Sequence, residues 1–294
     1  MTISPDTVVL ITGASSGIGA ALALGLAARG ARLGLIARRT EMLEETAAAA
    51  RAAGAADVIA ATCDVADRDA FAATVLSLHD RFGHVDVLVH NAGSGHRGYI
   101  EETPPEHIEA VFGVNVFALW HGTAPLLPLM VARGSGHIIV VSSFAGVFPF
   151  PGNAAYVAAK HAALGFSRAL RAELVDTGVE SSVVLPAGVM TEWAASTIGG
   201  SLLPLFAYEG ERGAEIAAQK GITPPSMPSL LHPADVAAEI VRLIEHPVPE
   251  LYTHAGTHEL AVDYLRDPAS LDERLAPSWE AMREGARKGI GAKE

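Results

Sequence analysis

Short apolar runs alternate with helical patterns along most of the chain. The runs are apolar at successive positions, as expected for strands of a parallel sheet that is covered on both faces. They occupy residues 8–11, 33–36, 58–61, 87–90, 138–141 and 182–185. The alanine-rich segments 41–53 and 67–81 lie between them and have high helix propensity. The pattern predicts an α/β fold in which a parallel sheet of about seven strands carries helices on both faces.

No feature of the sequence divides the chain into separate domains. The 294 residues contain no Ser/Gly linker, internal repeat or low-complexity block, so we predict a single α/β domain over residues 1–262. Residues 188–231 are apolar with several Gly and Pro, and we interpret them as a variable lid. Residues 263–294 are charged with spaced apolar positions, which predicts a C-terminal helical extension.

Charge and cysteine content exclude several classes of partner. Lys and Arg number 21 and Asp and Glu 33, so the formal net charge is −12, which disfavours nucleic acid. The single cysteine, Cys63, cannot form an internal disulfide, and no basic residue precedes the first apolar run, so we expect a cytoplasmic protein.

Polar residues and two prolines interrupt the apolar segment 111–132, so we expect a buried helix and no membrane span.

The first apolar run leads directly into a glycine-rich turn that opens a helical pattern. In this strand–turn–helix context a dinucleotide binds, because glycines let the backbone approach the pyrophosphate and the helix N-terminus presents free N–H groups. The turn therefore predicts a doubly wound Rossmann fold. The residues predicted to bind the dinucleotide in this turn are Gly13, Ser15, Ser16, Gly17, Ile18 and Gly19.

The same turn also matches a G-x-S-x-G nucleophile elbow over residues 13–17, which would make the protein a serine hydrolase. That reading needs an earlier strand and loop to supply an oxyanion hole. Only twelve residues precede Gly13, which leaves no room for them, so the hydrolase is a remote alternative.

The end of the second apolar run indicates which nicotinamide cofactor is preferred. An NAD site usually carries an acid at this place to bind the ribose hydroxyls. Here the chain carries Arg38 and Arg39 instead, and two guanidinium groups can bind a 2′-phosphate through charge-assisted hydrogen bonds. The sequence therefore favours NADP(H) over NAD(H).

A second motif supplies the chemistry. Tyr156 and Lys160 lie one helical turn apart, and Ser143 precedes the tyrosine by thirteen residues at the end of a predicted strand. A carbonyl that receives hydride builds negative charge on its oxygen, and a phenol placed there can supply the proton. Because tyrosine is a weak acid, we expect the Lys160 ammonium to favour the phenolate.

These residues together resemble the short-chain dehydrogenase/reductase family, and the resemblance covers roughly residues 6 to 255. Residues 12–19 resemble its T-G-x-x-x-G-x-G turn, and residues 156–160 its Y-x-x-x-K motif. Further matches are Asp64 and Val65 to the adenine-contacting pair, Asn91, Ala92 and Gly93 to the N-A-G segment, Asn115 to the proton-relay asparagine, and Pro186, Val189 and Thr191 to the nicotinamide loop. The resemblance implies that Asn115, Ser143, Tyr156 and Lys160 are catalytic, that Tyr156 and Lys160 also contact the cofactor, and that the protein is a homodimer or homotetramer.

The expected substrate is a small apolar ketone or secondary alcohol. Aromatic and aliphatic side chains cluster where a ligand crevice is expected, namely Phe144, Phe148, Phe150, Met190, Trp193, Leu202, Leu203, Leu205, Phe206 and Tyr208. His96 and Arg97 could reach the same mouth. The histidines include no H-E-x-x-H pattern, so no metal site is predicted. The alternative from another class is a nicotinamide-binding regulator or scaffold without turnover.

Overall fold

A computed structural model describes residues 1–292 and contains a seven-stranded parallel sheet in the order β3-β2-β1-β4-β5-β6-β7. This arrangement confirms the predicted doubly wound Rossmann fold. Each of the six apolar runs lies within a strand. The sequence did not locate the seventh strand, because it is only three residues long and half-buried. The strands are β1 (Val8–Thr12), β2 (Arg32–Ala37), β3 (Asp57–Thr62), β4 (Val87–His90), β5 (Gly136–Val141), β6 (Val179–Leu185) and β7 (Glu250–Tyr252).

The order of the strands reverses between β1 and β4, which pair directly through residues 9–11 and 87–89. The two strands are buried along their whole length, because helices cover both faces of the sheet at its centre. A crevice opens at such a reversal, at the carboxyl ends of the strands. The fold therefore directs a ligand toward the loops that follow β1 and β4.

The described residues form ten α-helices, six of which cover the two faces of the sheet. One face carries α1, α2 and α8, and the other carries α3, α5 and α6. The helices are α1 (Gly17–Ala27), α2 (Thr40–Ala52), α3 (Arg68–Phe82), α4 (Pro105–Phe112), α5 (Ala118–Arg133), α6 (Ala154–Glu173), α7 (Leu203–Lys220), α8 (Pro233–Glu245), α9 (Thr257–Arg266) and α10 (Pro268–Arg287).

A continuous helical stretch runs from Pro105 to Arg133 and includes one wide π-helical turn over Gly113–Phe117. By length and by a mean hydropathy of 1.4 it could cross a membrane, and 44% of its most apolar window is buried within the protein. Leu126 and Met130 pack into the core beneath the sheet, as expected for a core helix. Phe117 and Trp120, by contrast, are each 51% exposed.

The lid and the C-terminal extension form one layer over the carboxyl end of the sheet. Helix α7 of the lid packs along α10, and Leu205 of α7 contacts Met282 of α10. The helical extension was predicted to begin at residue 263, whereas α9 already begins at Thr257. Arg97 donates a hydrogen bond to the Ile290 carbonyl at 2.6 Å, so the last described turn is bound to the loop after β4.

Candidate active site

The glycine turn joins the carboxyl end of β1 to the N-terminus of α1. Gly13 has a φ of +66°, and a Cβ added at Gly19 would lie 2.4 Å from the Gly13 carbonyl oxygen. Helix α1 begins at Gly17, and its first N–H groups have no intrahelical acceptor. Backbone N–H groups at the positive end of a helix that begins with glycine fit a pyrophosphate.

The N-A-G segment is bonded directly to the glycine turn across the point where strand order reverses. The Thr12 hydroxyl accepts hydrogen bonds from the backbone N–H groups of Asn91 at 2.9 Å and Ala92 at 3.0 Å. The Asn91 side chain donates in return to the Thr12 carbonyl at 2.9 Å. These bonds fix the relative positions of the loops after β1 and β4, between which a dinucleotide would lie.

The structure separates the two arginines at the end of β2. Arg38 is 3.4 Å from Asp64, which also accepts a bond from the Ala66 N–H at 3.0 Å, and the adjacent Val65 is buried. Arg39 turns instead toward the glycine turn. Its guanidinium donates to the Ser15 hydroxyl at 3.2 Å and to the Ser16 hydroxyl at 2.5 Å.

The position of Arg39 also bears on the hydrolase alternative. The Ser15 hydroxyl, which would be the nucleophile, faces a guanidinium group. A guanidinium has no acceptor for a proton, so it cannot act as the general base that a serine nucleophile requires. The geometry therefore argues against the nucleophile elbow.

Ser143, Tyr156 and Lys160 converge at the carboxyl end of β5. Ser143 begins the turn that follows β5, and its hydroxyl is close enough to the phenol of Tyr156 to lower the pKa of that phenol. Lys160 lies 5.6 Å from the centroid of the Tyr156 ring and donates to the Val141 carbonyl at 3.0 Å. The adjacent Ser142 hydroxyl is directed elsewhere, to the Lys160 backbone carbonyl at 2.8 Å.

Burial dominates the electrostatics of this group. It raises the pKa of Tyr156 to about 12 and lowers the pKa of Lys160 to about 8, because a charged side chain loses its hydration there. Lys160 Nζ lies 5.6 Å from the Tyr156 ring centroid, and its effect on the phenolate stays a prediction. The Ser143 hydroxyl is the group that lowers the pKa of Tyr156, and its effect is smaller than that of burial.

Asn115 occupies the π-helical turn between α4 and α5. Its amide donates to the carbonyls of Ser94 and Val111, each at 2.9 Å. The bond to Ser94 ties the wide turn to the loop after β4, and π-helical turns are common at functional sites. A Cβ added at Gly93 would lie 2.8 Å from Asn115 Oδ1 and 3.4 Å from Lys160 Nζ, so the asparagine and the lysine face the same small space.

The loop after β6 lies between the tyrosine and the glycine turn. The Pro186 carbonyl accepts from the Phe144 N–H at 2.7 Å, and Val189 packs against the core. Thr191 reaches the glycine turn, since a Cβ added at Gly17 would lie 3.1 Å from its methyl group. The structure thus brings the predicted nicotinamide loop to both halves of the site.

His254 stabilises this loop, a role that the sequence analysis did not predict. Its Nδ1 accepts a bond from the Ala187 N–H at 3.2 Å, and its Nε2 lies 2.9 Å from the Gly188 carbonyl. The two bonds require the tautomer with the proton on Nε2. The side chain is buried and bonds both sides of the peptide between residues 187 and 188. The Y-x-x-x-K and glycine motifs contain no signal for it.

Trp193 covers the phenol of Tyr156. The two ring centroids are 4.9 Å apart, and Tyr156 is only 7% exposed. On its other side the indole lies against the loop after β4, where a Cβ added at Gly95 would be 2.6 Å from it. The indole therefore restricts the approach of a carbonyl oxygen to the phenol.

The side chains expected to bind substrate divide into three groups. Phe150 and Trp193 pack around Tyr156. Met190, Leu203 and Phe206 are exposed on the outer surface of the lid. The others pack elsewhere: Phe144 and Phe148 against α9 and α10, Leu202 and Leu205 against Met282, and Tyr208 in a hydrogen bond to Glu284.

The histidines and Arg97 do not form a metal site. No group of three or more His, Cys, Asp or Glu side chains within residues 1–292 could hold a metal ion. His96 is buried edge-on against His107, and burial together with that neighbour lowers the pKa of His96. Arg97 points to the C-terminal turn rather than into the site.

Comparison with known proteins identifies the family. The model of the family described as short chain dehydrogenase matches residues 7–199, a segment that contains the glycine turn and the Ser143, Tyr156 and Lys160 cluster. The chain belongs to the short-chain dehydrogenase family. The family is one of oxidoreductases that use a nicotinamide cofactor, and the predicted resemblance is confirmed.

Individual members of the short-chain dehydrogenase family show the same relationship. The chain is 39% identical over 198 residues to the Bos taurus dehydrogenase/reductase SDR family member 7B, covering 66% of this chain and 61% of that protein, so it spans less than two thirds of its relative. A Burkholderia phymatum short-chain dehydrogenase/reductase solved with NAD superposes with a TM-score of 0.76 at 28% identity, over 91% of this chain and 95% of that one. An alcohol dehydrogenase from Thermococcus sibiricus, solved with 5-hydroxy-NADP, superposes with a TM-score of 0.70 at 28% identity. The match covers 85% of this chain and 97% of that one.

Proposed function

We propose that this chain transfers hydride between NADP(H) and an apolar ketone or secondary alcohol, with Tyr156 as the general acid and base. The observation that carries the proposal is the convergence of Ser143, Tyr156 and Lys160 beside the nicotinamide loop. That loop also contacts the glycine turn through Thr191. A hydride donor bound along this path would meet a carbonyl and a proton donor in one buried pocket.

The bound nicotinamide would supply or accept the hydride. Tyr156 donates its phenolic proton to the carbonyl oxygen as negative charge forms there, and Ser143 holds that oxygen with its hydroxyl. In the oxidative direction Tyr156 takes the proton back from the alcohol. Lys160 and Asn115 face the space beside Gly93, from which a proton can return to the phenol.

The support for NADP(H) comes mainly from Arg39. Its guanidinium lies against both serine hydroxyls of the glycine turn, beside the place where an adenosine ribose would bind. A guanidinium there can bind a 2′-phosphate in two parallel hydrogen bonds. Arg38 contributes less in this arrangement, because Asp64 already binds it.

An apolar substrate is supported by the side chains around the phenol. The cluster that contains Tyr156 is built from apolar groups, including Phe112, Phe150, Trp193 and Ile198. Burial of a charged substrate among such groups would cost several kcal/mol without a counter-ion. We therefore expect simple aliphatic and aryl ketones to be reduced and sugar phosphates to be poor substrates.

The test is spectrophotometric oxidation of NADPH and NADH with a panel of ketones. We expect NADPH to be preferred and Tyr156→Phe to lower the rate about a hundredfold or more, because it removes the proton donor. Tyr252→Phe, at a half-buried tyrosine of β7, is the matched control and should retain the wild-type rate. Undiminished reduction by Tyr156→Phe would refute the assignment of the acid. Ester hydrolysis without nicotinamide would instead favour the hydrolase, and cofactor binding without turnover of any ketone would favour the regulator.

We also propose a cytoplasmic homodimer or homotetramer. Phe117 and Trp120 lie half-exposed on the 105–133 helical stretch, and Trp120 packs edge-on against Phe166 of α6. Two aromatic side chains on one exposed surface suit a symmetric interface between copies of this chain. Sedimentation velocity of the wild type and of Trp120→Lys would test this, with an oligomer expected only for the wild type. A monomeric wild type would contradict the proposal.

A further inference from the structure

We propose that Glu192 competes with a cofactor 2′-phosphate for Arg39, and that this competition links the type of cofactor bound to the position of Trp193 over Tyr156. The inference rests on the proposed NADP(H) site. It adds a lid residue, Glu192, that lowers the affinity for the phosphorylated cofactor. Binding of that cofactor would in turn change the position of Trp193 over Tyr156.

The Arg39 guanidinium contacts two segments of the chain, the glycine turn and the lid. One side of the guanidinium is held by Ser15 and Ser16 of the glycine turn. The remaining nitrogen, Nη1, forms an ion pair at 3.1 Å with Glu192 of the lid. Because the serine hydroxyls already orient the guanidinium, Arg39 does not need Glu192 in order to face the ribose site.

Three consecutive residues of the lid reach three parts of the active site. Thr191 contacts the glycine turn at Gly17, Glu192 pairs with Arg39, and Trp193 covers Tyr156. The three lie in one short segment whose first residue also caps it, since the Thr191 hydroxyl accepts from the Trp193 N–H at 3.3 Å. Glu192 and Trp193 are consecutive residues of this segment, so a shift of the Glu192 backbone also moves the backbone that carries the indole.

The charges give the competition its direction. A 2′-phosphate carries close to two negative charges and three acceptor oxygens, so it binds a guanidinium more strongly than one carboxylate does. Glu192 and Arg39 have side chains that are 64% and 49% exposed, so their pair is screened by water and weak enough to be replaced. Once replaced, the carboxylate repels the phosphate that displaced it. Glu192 thus lowers the affinity for the phosphorylated cofactor and leaves the unphosphorylated one unaffected.

Release of Glu192 also removes one of the contacts that hold the segment containing Trp193 against the glycine turn. The indole packs against the Tyr156 ring and restricts the approach of a carbonyl oxygen to the phenol. A phosphate at Arg39 therefore favours the arrangement in which the phenol is accessible. By linkage, the arrangement with Trp193 withdrawn binds the phosphate more tightly.

Adenosine 2′,5′-bisphosphate and adenosine 5′-monophosphate separate these effects from those of the nicotinamide, because neither can reach Tyr156. Calorimetric titration should show that Glu192→Gln binds the bisphosphate about fivefold more tightly than the wild type, with unchanged affinity for the monophosphate. Glu239→Gln removes the same charge from an exposed ion pair with Arg242 on α8 and should change neither affinity.

Tryptophan emission provides the second measurement. In the wild type, saturation with the bisphosphate should change the emission and saturation with the monophosphate should not. The change should be absent from Trp193→Phe, which retains Trp120 and Trp279, and from Glu192→Gln, in which the ion pair no longer links the phosphate site to the indole.

The outcomes distinguish this inference from the proposed function. If the wild type binds the bisphosphate through Arg39, as judged from weaker binding by Arg39→Ala, but Glu192→Gln binds it no more tightly, the competition is refuted and the NADP(H) site stands. A bisphosphate-induced emission change that persists in Glu192→Gln refutes the link to Trp193. A wild type that binds neither nucleotide refutes the proposed function itself.

Discussion

Replacement of Lys160 by methionine should make the protein more stable at neutral pH while it abolishes carbonyl reduction. Lys160 is 5% exposed, and burial lowers its pKa from 10.5 to about 8. At pH 7 the side chain is still protonated, so the folded protein carries a buried ammonium with one bond, to the Val141 carbonyl. Methionine has similar volume and no charge to desolvate.

The size of the effect follows from the pKa. The shift from 10.5 to about 8 corresponds to about 3 kcal/mol of unfavourable free energy at pH 7, at about 1.4 kcal/mol per pH unit. Loss of the bond to Val141 offsets about 1 kcal/mol of this. We therefore expect Lys160→Met to raise the free energy of unfolding by about 2 kcal/mol at pH 7.

The pH dependence makes the prediction specific. The unfolded chain holds the Lys160 proton up to about pH 10.5 and the folded protein only up to about pH 8, so the wild type gains stability as pH rises between these values. The advantage of Lys160→Met should accordingly be complete below pH 8 and shrink by pH 9.5. Higher pH is avoided because Tyr156, whose pKa burial raises to about 12, then lowers stability by remaining protonated in the folded state only.

Urea unfolding at fixed protein concentration, at pH 7.0 and 9.5, is the assay. Lys220→Met is the control, because that lysine is 47% exposed and its replacement should give no pH-dependent difference. If Lys160→Met is less stable than the wild type at pH 7, or if its advantage is the same at both pH values, the ammonium is not desolvated as described.

Further substitutions test individual contacts. Gly19→Ala should abolish nucleotide binding in a calorimetric titration, because the added methyl group would lie 2.4 Å from the Gly13 carbonyl oxygen. The control is Gly210→Ala on α7, where the added methyl group meets nothing within 4 Å, and it should bind nucleotide normally. His254→Ala removes both bonds to the nicotinamide loop, so it should lower the free energy of unfolding by about 1–3 kcal/mol and weaken NADPH binding. If the variant binds NADPH with the wild-type dissociation constant, the loop keeps its conformation without His254. Trp193→Ala should lower the KM for bulky ketones, and an unchanged KM across a series of increasing ketone size would mean that the indole does not restrict access.

The local pattern of the chain was sufficient to predict the sheet and the two central motifs. Residues 8–11 and 33–36 are apolar on both faces, and only a covered parallel sheet buries such runs. The glycine turn and the Tyr156–Lys160 pair are each encoded within eight residues or fewer, because a tight turn and one helical turn are local structures. Their order along the chain carried the family prediction.

Only the tertiary structure decided what surrounds those motifs. The Arg39–Glu192 pair joins residues 153 positions apart, and His254 reaches Ala187 across 67 positions, so no periodicity or spacing in the sequence marks either contact. Phe144 and Phe148 were expected in the substrate pocket, yet they pack against the C-terminal helices, because apolarity predicts burial but not the partner. The pKa of Tyr156 is likewise a property of its packing, because desolvation in the assembled site raises it more than the Ser143 hydroxyl lowers it.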